Sequence, residues 1–327
     1  MSNAERPAEW GGLPTFEFPL LEEDLPESLP AADAVAWRIT VEGYYDVDLG
    51  QWAATFARFA EVVDLSQVRA LIVGIWPQAA IPDDNKPNTE AIDTLVAAAD
   101  RLPALRALFI GDMTWDECEI SWIVNSDVTP LLRAFPRLEE FGVRGGGSLA
   151  FPAESHSVLR RLVIETGALS REVVRGVGES DLPALEDLDI WLGDPEYGAD
   201  TEVSDLEPFM TGVRLPALRR LALRNSAIQD EIAAAFASAP VVARLTELNL
   251  SLGTLGDEGA TALLDGQPLT HLAKLDLHHH YISAPVAERI RETLTAQGVA
   301  VDLSEGPDDR GDDYDDEEDG RYVAVAE

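Results

Sequence analysis

A short pattern of apolar residues recurs along this chain, and it limits the possible folds more than any other feature of the sequence. Each copy has one apolar residue, a second three positions later and a third two positions after that, as in Leu185-Leu188-Ile190. Successive copies start 21 to 37 residues apart, a period typical of repeat proteins. The other copies are Val68-Leu71-Val73, Leu105-Leu108-Ile110, Leu138-Phe141-Val143, Leu159-Leu162-Ile164, Leu218-Leu221-Leu223, Leu245-Leu248-Leu250 and Leu272-Leu275-Leu277.

The spacing within each copy indicates a short β-strand. The last two apolar residues are separated by one position, so both side chains point to the same face of an extended chain. One strand cannot bury that face alone, and we therefore expect the copies to stack side by side as a parallel sheet.

Helical spacing fills the intervals between the copies. Ile228, Ile232 and Phe236 lie on one side of a predicted helix over 228–239. The sequence therefore predicts an α/β solenoid, a horseshoe with parallel strands on its concave face and helices on its convex face. Further helical stretches span 90–101, 130–135, 170–176, 257–264 and 283–296.

Two of these segments resemble a known family. LTELNLSLGTLGDEGATALL, from Leu245, and LRRLALRNSAIQDEIAAAF, from Leu218, resemble the ribonuclease-inhibitor type of leucine-rich repeat, and the likeness extends over 68–303. The whole chain, including WIVNSDVTPLL from Trp122, LDLHHHYIS from Leu275 and the terminal RYVAVAE, also resembles a family of bacterial cytoplasmic leucine-rich-repeat proteins. The resemblance implies a fold and, by analogy, a role in binding; it implies little about activity.

One column of the chain departs from the family pattern. Three residues after the last leucine, the family usually has an asparagine that bonds the backbone of the neighbouring turn. Because that asparagine is missing here, we expect other backbone groups or water to form the hydrogen bonds that the backbone of the turns requires. The residues found in this column are Gly146, Gly167, Gly193, Ser226, Gly253 and His280.

Composition divides the chain into five predicted segments. Residues 1–35 are rich in proline and form an extended segment, and 36–67 form a strand–helix cap that shields the first repeat. The solenoid occupies 68–304. Residues 305–320 form an acidic linker, because crowded like charges oppose compaction. The apolar end of the chain predicts that 321–327 folds back as a docking strand.

Charge and cysteine content exclude several classes of function. The chain has 60 acidic and 24 basic residues, a formal charge of −36, which repels nucleic-acid phosphates and anionic lipids and favours basic partners. Its one cysteine, Cys118, excludes an internal disulfide and a multi-cysteine metal site. Neither a signal-peptide pattern nor a membrane-spanning run is present, so we expect a cytoplasmic monomer without a cofactor.

Histidines are the main candidates for chemistry. His278, His279 and His280 are consecutive, but neighbouring strand residues point to opposite faces and cannot easily share one metal ion. We therefore assign no metal site and interpret His280 as a hydrogen-bond partner for the backbone of a turn. No nucleophile with an adjacent base and no phosphate-binding glycine motif stands out, which predicts no catalytic residues and no enzyme activity.

The strand register identifies the residues that point to the concave face. Acidic and basic residues alternate between successive strands, so we expect lateral ion pairs. Aromatic and arginine residues are enriched where interfaces concentrate binding energy, and we therefore predict a scaffold that binds a protein or peptide, with basic partners favoured. The predicted binding residues are Phe109, Arg144, Arg161, Glu165, Asp187, Asp189, Trp191, Arg220, Arg224, Asn249, Asp276 and His278.

Three alternatives remain open at this stage. The first is an inhibitor-like acidic decoy that holds a basic enzyme. The second, from a different class, is a metal-dependent protein centred on residues 278–280 with Asp276. The third is a structural module that associates with itself through its last strand or its tail.

Overall fold

The computed structural model describes residues 5–43, 49–77, 87, 89–307 and 320–326. They form two compact units, which lie within Asn3–Glu165 and Thr166–Ala326. In each unit, short parallel strands follow one another in chain order and helical segments connect them. The predicted α/β repeat fold is thereby confirmed. The five-segment division stays a prediction, and most of the linker predicted over 305–320 lies outside the described residues.

In its described residues, the N-terminal unit has seven strands. The first pairs antiparallel with the second, and the second to seventh pair in parallel. Equivalent residues of the repeats are lateral partners, as Leu71, Leu108 and Phe141 show. The strands are β1 (Glu9–Trp10), β2 (Leu13–Glu17), β3 (Ala36–Ile39), β4 (Ala70–Val73), β5 (Ala107–Ile110), β6 (Glu140–Arg144) and β7 (Arg161–Glu165).

Helices cover one face of these strands. Trp52, Phe56 and Phe59 recur at the spacing of a helical turn and are buried on one side of the first helix. The ring of Phe59 packs against Trp37 of β3, with the ring centroids 5.2 Å apart, so the core lies between helix and sheet. The helices of this unit are α1 (Gln51–Val62), α2 (Glu90–Ala97) and α3 (Thr129–Ala134).

The C-terminal unit repeats the arrangement with five parallel strands in its described part. Leu188, Leu221, Leu248 and Leu275 are successive lateral partners and are buried beneath the helices. No helix among the described residues of either unit is long and apolar enough to cross a membrane. The elements are β8 (Asp187–Gly193), β9 (Arg220–Ser226), β10 (Glu247–Asn249), β11 (Lys274–Asp276) and β12 (Ala300–Asp302), with α4 (Arg171–Glu179), α5 (Glu207–Thr211), α6 (Gln229–Phe236), α7 (Asp257–Asp265) and α8 (Ala284–Thr295).

The interval between β8 and β9 contains a helix that the sequence pattern did not predict. This helix, α5, lies along α4, where Gly178 leaves room for Pro208 because a Cβ at Gly178 would lie 3.0 Å from the proline ring. Arg175 of α4 donates to Asp205, just before α5, at 2.8 Å. This part of the interval between β8 and β9 therefore packs on the helical side of the unit.

Candidate functional site

Each strand presents two faces, and only one is turned toward the helices. In β8, Leu188 and Ile190 point to the helices and are fully buried, so Asp187, Asp189 and Trp191 point to the other side. We refer to that side of the sheet as the helix-free face; it is the face predicted to be concave. The other predicted binding residues occupy corresponding positions of their own strands.

In the N-terminal unit, the first strands of the chain cover part of the helix-free face. A turn at Gly11 and Gly12 reverses the chain between β1 and β2, and both residues have positive φ angles, 62° and 68°, which favour glycine. Trp10, at the end of β1, packs against the outward side of the sheet and is 3% exposed. The small residues that receive it are lateral neighbours: Ala36, Ala70 and Ala107.

Trp10 covers Phe109, one of the predicted binding residues. The two ring centroids are 5.0 Å apart and the rings are nearly perpendicular, a favourable edge-to-face arrangement. Gly142 makes room, because a Cβ there would lie 2.9 Å from the Trp10 ring. On the other side, the guanidinium carbon of Arg161 lies 5.2 Å from the centroid of the same ring. Phe109 is consequently 2% exposed, because Trp10 of the same chain covers it.

Arg144 is also engaged by the N-terminal segment. Its Nε donates to Glu165 Oε2, its Nη1 to the Met113 carbonyl and its Nη2 to the Glu5 carbonyl, each at 2.8 Å. The Arg144 side chain is 3% exposed, whereas those of Glu165 and Arg161 are 15% and 42% exposed. Arg144 therefore anchors residues 5–10, and only the margin of the predicted site in this unit faces solvent.

Arg6 tethers the same segment to the loop that follows β5. Its guanidinium donates to Glu117 Oε1 and also lies 3.6 Å from Glu17 Oε2. Burial raises the pKa of Glu117, but hydrogen bonds from Arg6 and from the Thr114 backbone outweigh burial, so the pKa lies below its ordinary 4.5. The ionised carboxylate holds the segment in place at neutral pH.

The helix-free face of the C-terminal unit carries ion pairs between neighbouring strands. Arg220 lies beside Asp187 in register, and its Nε donates to that carboxylate at 3.1 Å. Arg224 donates from Nε at 3.0 Å and from Nη2 at 2.8 Å to the two oxygens of Asp189. Two parallel bonds of this kind make a strong, oriented pair. The lateral pairing expected from the alternating charges is present here.

Trp191 lies within this group of ion pairs. The guanidinium carbon of Arg224 is 4.9 Å from the centroid of its ring, a cation–π contact. Trp191 is 6% exposed, and its indole N–H has no hydrogen-bond partner among the residues that the structure describes. The groups that solvent reaches here are therefore mainly the charged ones, not the indole ring.

A second polar cluster lies where β11 and β12 adjoin. His278 Nδ1 is 2.6 Å from Asp276 Oδ1, and Lys274 Nζ donates to Asp276 Oδ2 at 2.7 Å. Burial raises the pKa of Asp276, but the hydrogen bonds from His278 and Lys274 outweigh burial and hold this pKa far below its ordinary 3.8. Asp302 lies beside Asp276 in register on one side, and Asn249 on the other.

The other two consecutive histidines hold turns and the end of the chain. His280 Nδ1 accepts from the Ile282 backbone N–H at 3.0 Å, so its Nε2 carries the proton and donates to a backbone carbonyl at 3.2 Å. His279 has a φ of 53°, and its Nε2 lies 3.3 Å from the Tyr322 carbonyl. Of the three histidines, only the first joins the polar cluster.

Comparison with known proteins gives the same architecture. A family model for the leucine-rich repeat matches residues 245–264. A crystal structure of a protein from Bacteroides fragilis is similar with a TM-score of 0.71 and 25% identity, over 82% of this chain and 74% of that chain. The fold is a leucine-rich-repeat solenoid. No curated protein matches, and the ribonuclease-inhibitor type of repeat stays a prediction.

The list of predicted binding residues omits Glu247 and Lys274 of the helix-free face, and it also omits Trp10 and Asp302. Trp10 lies in a proline-rich segment outside the repeats, where the Gly-Gly pair that follows it is a hairpin signal. Asp302 lies between Val301 and Leu303, two apolar residues with the spacing of the last two positions of the repeat pattern. Extending the strand register by one copy would have placed Asp302 beside Asp276.

Proposed function

We propose that this chain binds a protein or peptide through the helix-free face of its C-terminal unit, and that the partner presents basic residues to it. The observation that carries the proposal is a surplus of negative charge. Five carboxylates and three cations project from the strands of this face, which leaves two negative charges. The carboxylates belong to Asp187, Asp189, Glu247, Asp276 and Asp302, and the cations to Arg220, Arg224 and Lys274.

The surplus is located on two residues. Glu247 and Asp302 are both partly exposed, and neither forms an ion pair with another described residue. Lys274 attracts both carboxylates, but its ammonium pairs with Asp276. The remaining carboxylates are paired with Arg220, Arg224 and Lys274. A basic side chain of a partner would therefore gain an ion pair at Glu247 without breaking one. The overall charge of −36 would also accelerate encounters with such a partner.

The fold supports a binding role more than a catalytic one. Leucine-rich-repeat solenoids are typically non-catalytic scaffolds, and their domains commonly bind proteins. In the N-terminal unit, Trp10 covers part of the corresponding face, whereas the C-terminal unit carries Glu247, the carboxylate that we assign to the partner. An inhibitor-like role, in which the chain holds a basic enzyme, is a narrower form of the same proposal and rests on the same surplus charge.

A random peptide library displayed on phage tests the proposal. Peptides selected on the immobilised full chain should be enriched in lysine and arginine, and their affinity should fall as salt rises. Glu247→Lys should lower the affinity for a selected peptide at least about tenfold, because it places a lysine opposite the basic residues of the peptide. Glu288→Lys makes the same charge change on an exposed position of α8 and should leave the affinity unchanged. Equal binding to both variants would place the site elsewhere.

A further inference from the structure

We propose that Asp276, His278 and Asp302 form a binding site for one divalent transition-metal ion, with Zn²⁺ as the best match. One ligand atom from each of these residues can be chosen so that all three lie within 4.8 Å of one another. This site shares Asp276 and Asp302 with the charged face described above, but it does not include Glu247, which we assign to the basic partner.

The strand geometry brings the three side chains to one point. Asp276 and His278 are two positions apart, so both project from the same face of the chain. Asp302 lies directly beside Asp276 on the neighbouring parallel strand. A tetrahedral Zn²⁺ with bonds of about 2.1 Å keeps its ligand atoms about 3.4 Å apart, which small side-chain rotations would achieve here.

Charge favours a cation at this point. The carboxylates of Asp276 and Asp302 face each other across adjacent strands, and like charges in that position are destabilising. Lys274 engages only one oxygen of Asp276, at 2.7 Å. The other oxygen lies 2.6 Å from His278 Nδ1, where a proton now joins carboxylate and imidazole. Metal binding would release that proton, because a metal ligand must give up its N–H.

A polar group beside the cluster also lacks a partner. The hydroxyl of Ser251 is fully buried and makes no hydrogen bond with any residue that the structure describes. Ser251 lies level with His278 on the neighbouring strand, since the next residue, Leu252, donates its backbone N–H to the His278 carbonyl at 2.9 Å. Buried polar groups without hydrogen-bond partners are rare, and a water molecule bound to the ion would supply a partner for this hydroxyl.

The set of donors selects the kind of metal. One imidazole nitrogen with two carboxylate oxygens suits Zn²⁺, and three protein ligands leave a position for water. Ca²⁺ and Mg²⁺ prefer oxygen ligands alone and gain little from an imidazole. The site should therefore bind Zn²⁺ in the presence of excess Ca²⁺.

Titration calorimetry tests the site directly. ZnCl₂ is added to the full chain after removal of metals with a chelator, in buffer that contains millimolar CaCl₂ to saturate weak acidic sites. We expect one equivalent to bind, and His278→Ala and Asp302→Asn each to weaken binding at least about tenfold. The matched controls are His271→Ala, whose ring bonds a backbone carbonyl, and Asp187→Asn, whose carboxylate pairs with Arg220 on the same face; both should bind as the wild type does.

Two results would overturn the proposal. One is the absence of a Zn²⁺ equivalent in the wild-type chain, and the other is unchanged binding in His278→Ala and Asp302→Asn. Circular dichroism melting checks that each variant folds. Where a variant does not fold, the visible absorption spectrum of Co²⁺ with the wild-type chain tests the site instead. Coordination by a histidine nitrogen changes this spectrum, whereas free Co²⁺ does not show the change. The titration contains no peptide, so its failure leaves the peptide-binding proposal intact.

Discussion

Trp10 and Phe109 meet edge to face, with their ring centroids 5.0 Å apart, so the first strand of the chain closes over the outward side of the fifth. Beneath them, Gly142 and a row of alanines provide the space. The helix-free face of the N-terminal unit therefore binds a segment of its own chain. That relationship makes the two units unequal, although both are built from the same repeat.

Trp10→Ala should release the hairpin of β1 and β2. The substitution removes a side chain that is 3% exposed, and the loss of buried surface should cost about 3 kcal/mol of local stability. Limited proteolysis followed by mass spectrometry should then show cleavage within residues 5–17. Trp122→Ala removes an exposed indole, 60% accessible, and should leave the digestion pattern unchanged. If the two variants are equally resistant, Trp10 does not hold the hairpin.

The tether at Glu117 should make stability depend on pH in the acid range. The pKa of Glu117 is lower in the folded chain than its ordinary 4.5, so its stabilisation is present above that value and is lost as the pH falls below it. The difference in melting temperature between wild type and Glu117→Gln should thus be largest near neutral pH and shrink below about pH 4.5. Glu172→Gln, on an exposed surface of α4, should give a small difference at every pH. A Glu117→Gln difference that is constant with pH would contradict this account.

The two arginines of β9 should respond differently to lysine substitution. Arg224 makes two bonds to Asp189 and lies over Trp191, so Arg224→Lys should cost about 1 kcal/mol in the free energy of unfolding. Arg220 donates one hydrogen bond to Asp187 from a side chain that is 43% exposed, and Arg220→Lys should cost less than about 0.5 kcal/mol. Urea denaturation of both variants measures the two values. Equal costs would show that the second hydrogen bond of Arg224 and its contact with the Trp191 ring add nothing to the free energy of unfolding.

Asn225 should control the docking of the chain's last described residues. Its side chain accepts from the Val325 backbone N–H at 3.0 Å and donates to the Val325 carbonyl at 2.6 Å, as a neighbouring strand would. Because Asn225 has a φ of 53°, Asn225→Gly keeps the backbone relaxed; it removes these bonds and the one that Nδ2 donates to the Thr166 carbonyl at 3.2 Å. Carboxypeptidase should then trim residues 320–326 faster than in the wild type. Asn249→Gly, which removes a local bond to Ser251, is the control and should leave the trimming rate unchanged.

The repeat register could be predicted because it depends on short-range periodicity. Leu188 and Leu221 were placed as equivalent residues by spacing alone, and they are lateral partners in the sheet. The same register predicted that Arg220 would lie beside Asp187, since a parallel sheet aligns equivalent positions. The helix over 228–239 was predicted from the same kind of pattern and is observed as Gln229–Phe236.

The sequence by itself determined the strand and helix pattern of the repeats, the sign of the net charge and the outward-facing positions of the repeat strands. Only the tertiary structure decided which of those residues a partner could reach. Phe109 and Arg144 are covered by residues 5–10, which lie about 100 to 140 positions earlier in the chain and carry no repeat pattern. Asp302 joins Asp276 and His278 for a related reason, since a cluster across strands depends on which strands adjoin. Periodicity reports the local preference of each segment, whereas contacts between distant segments depend on how the whole chain packs.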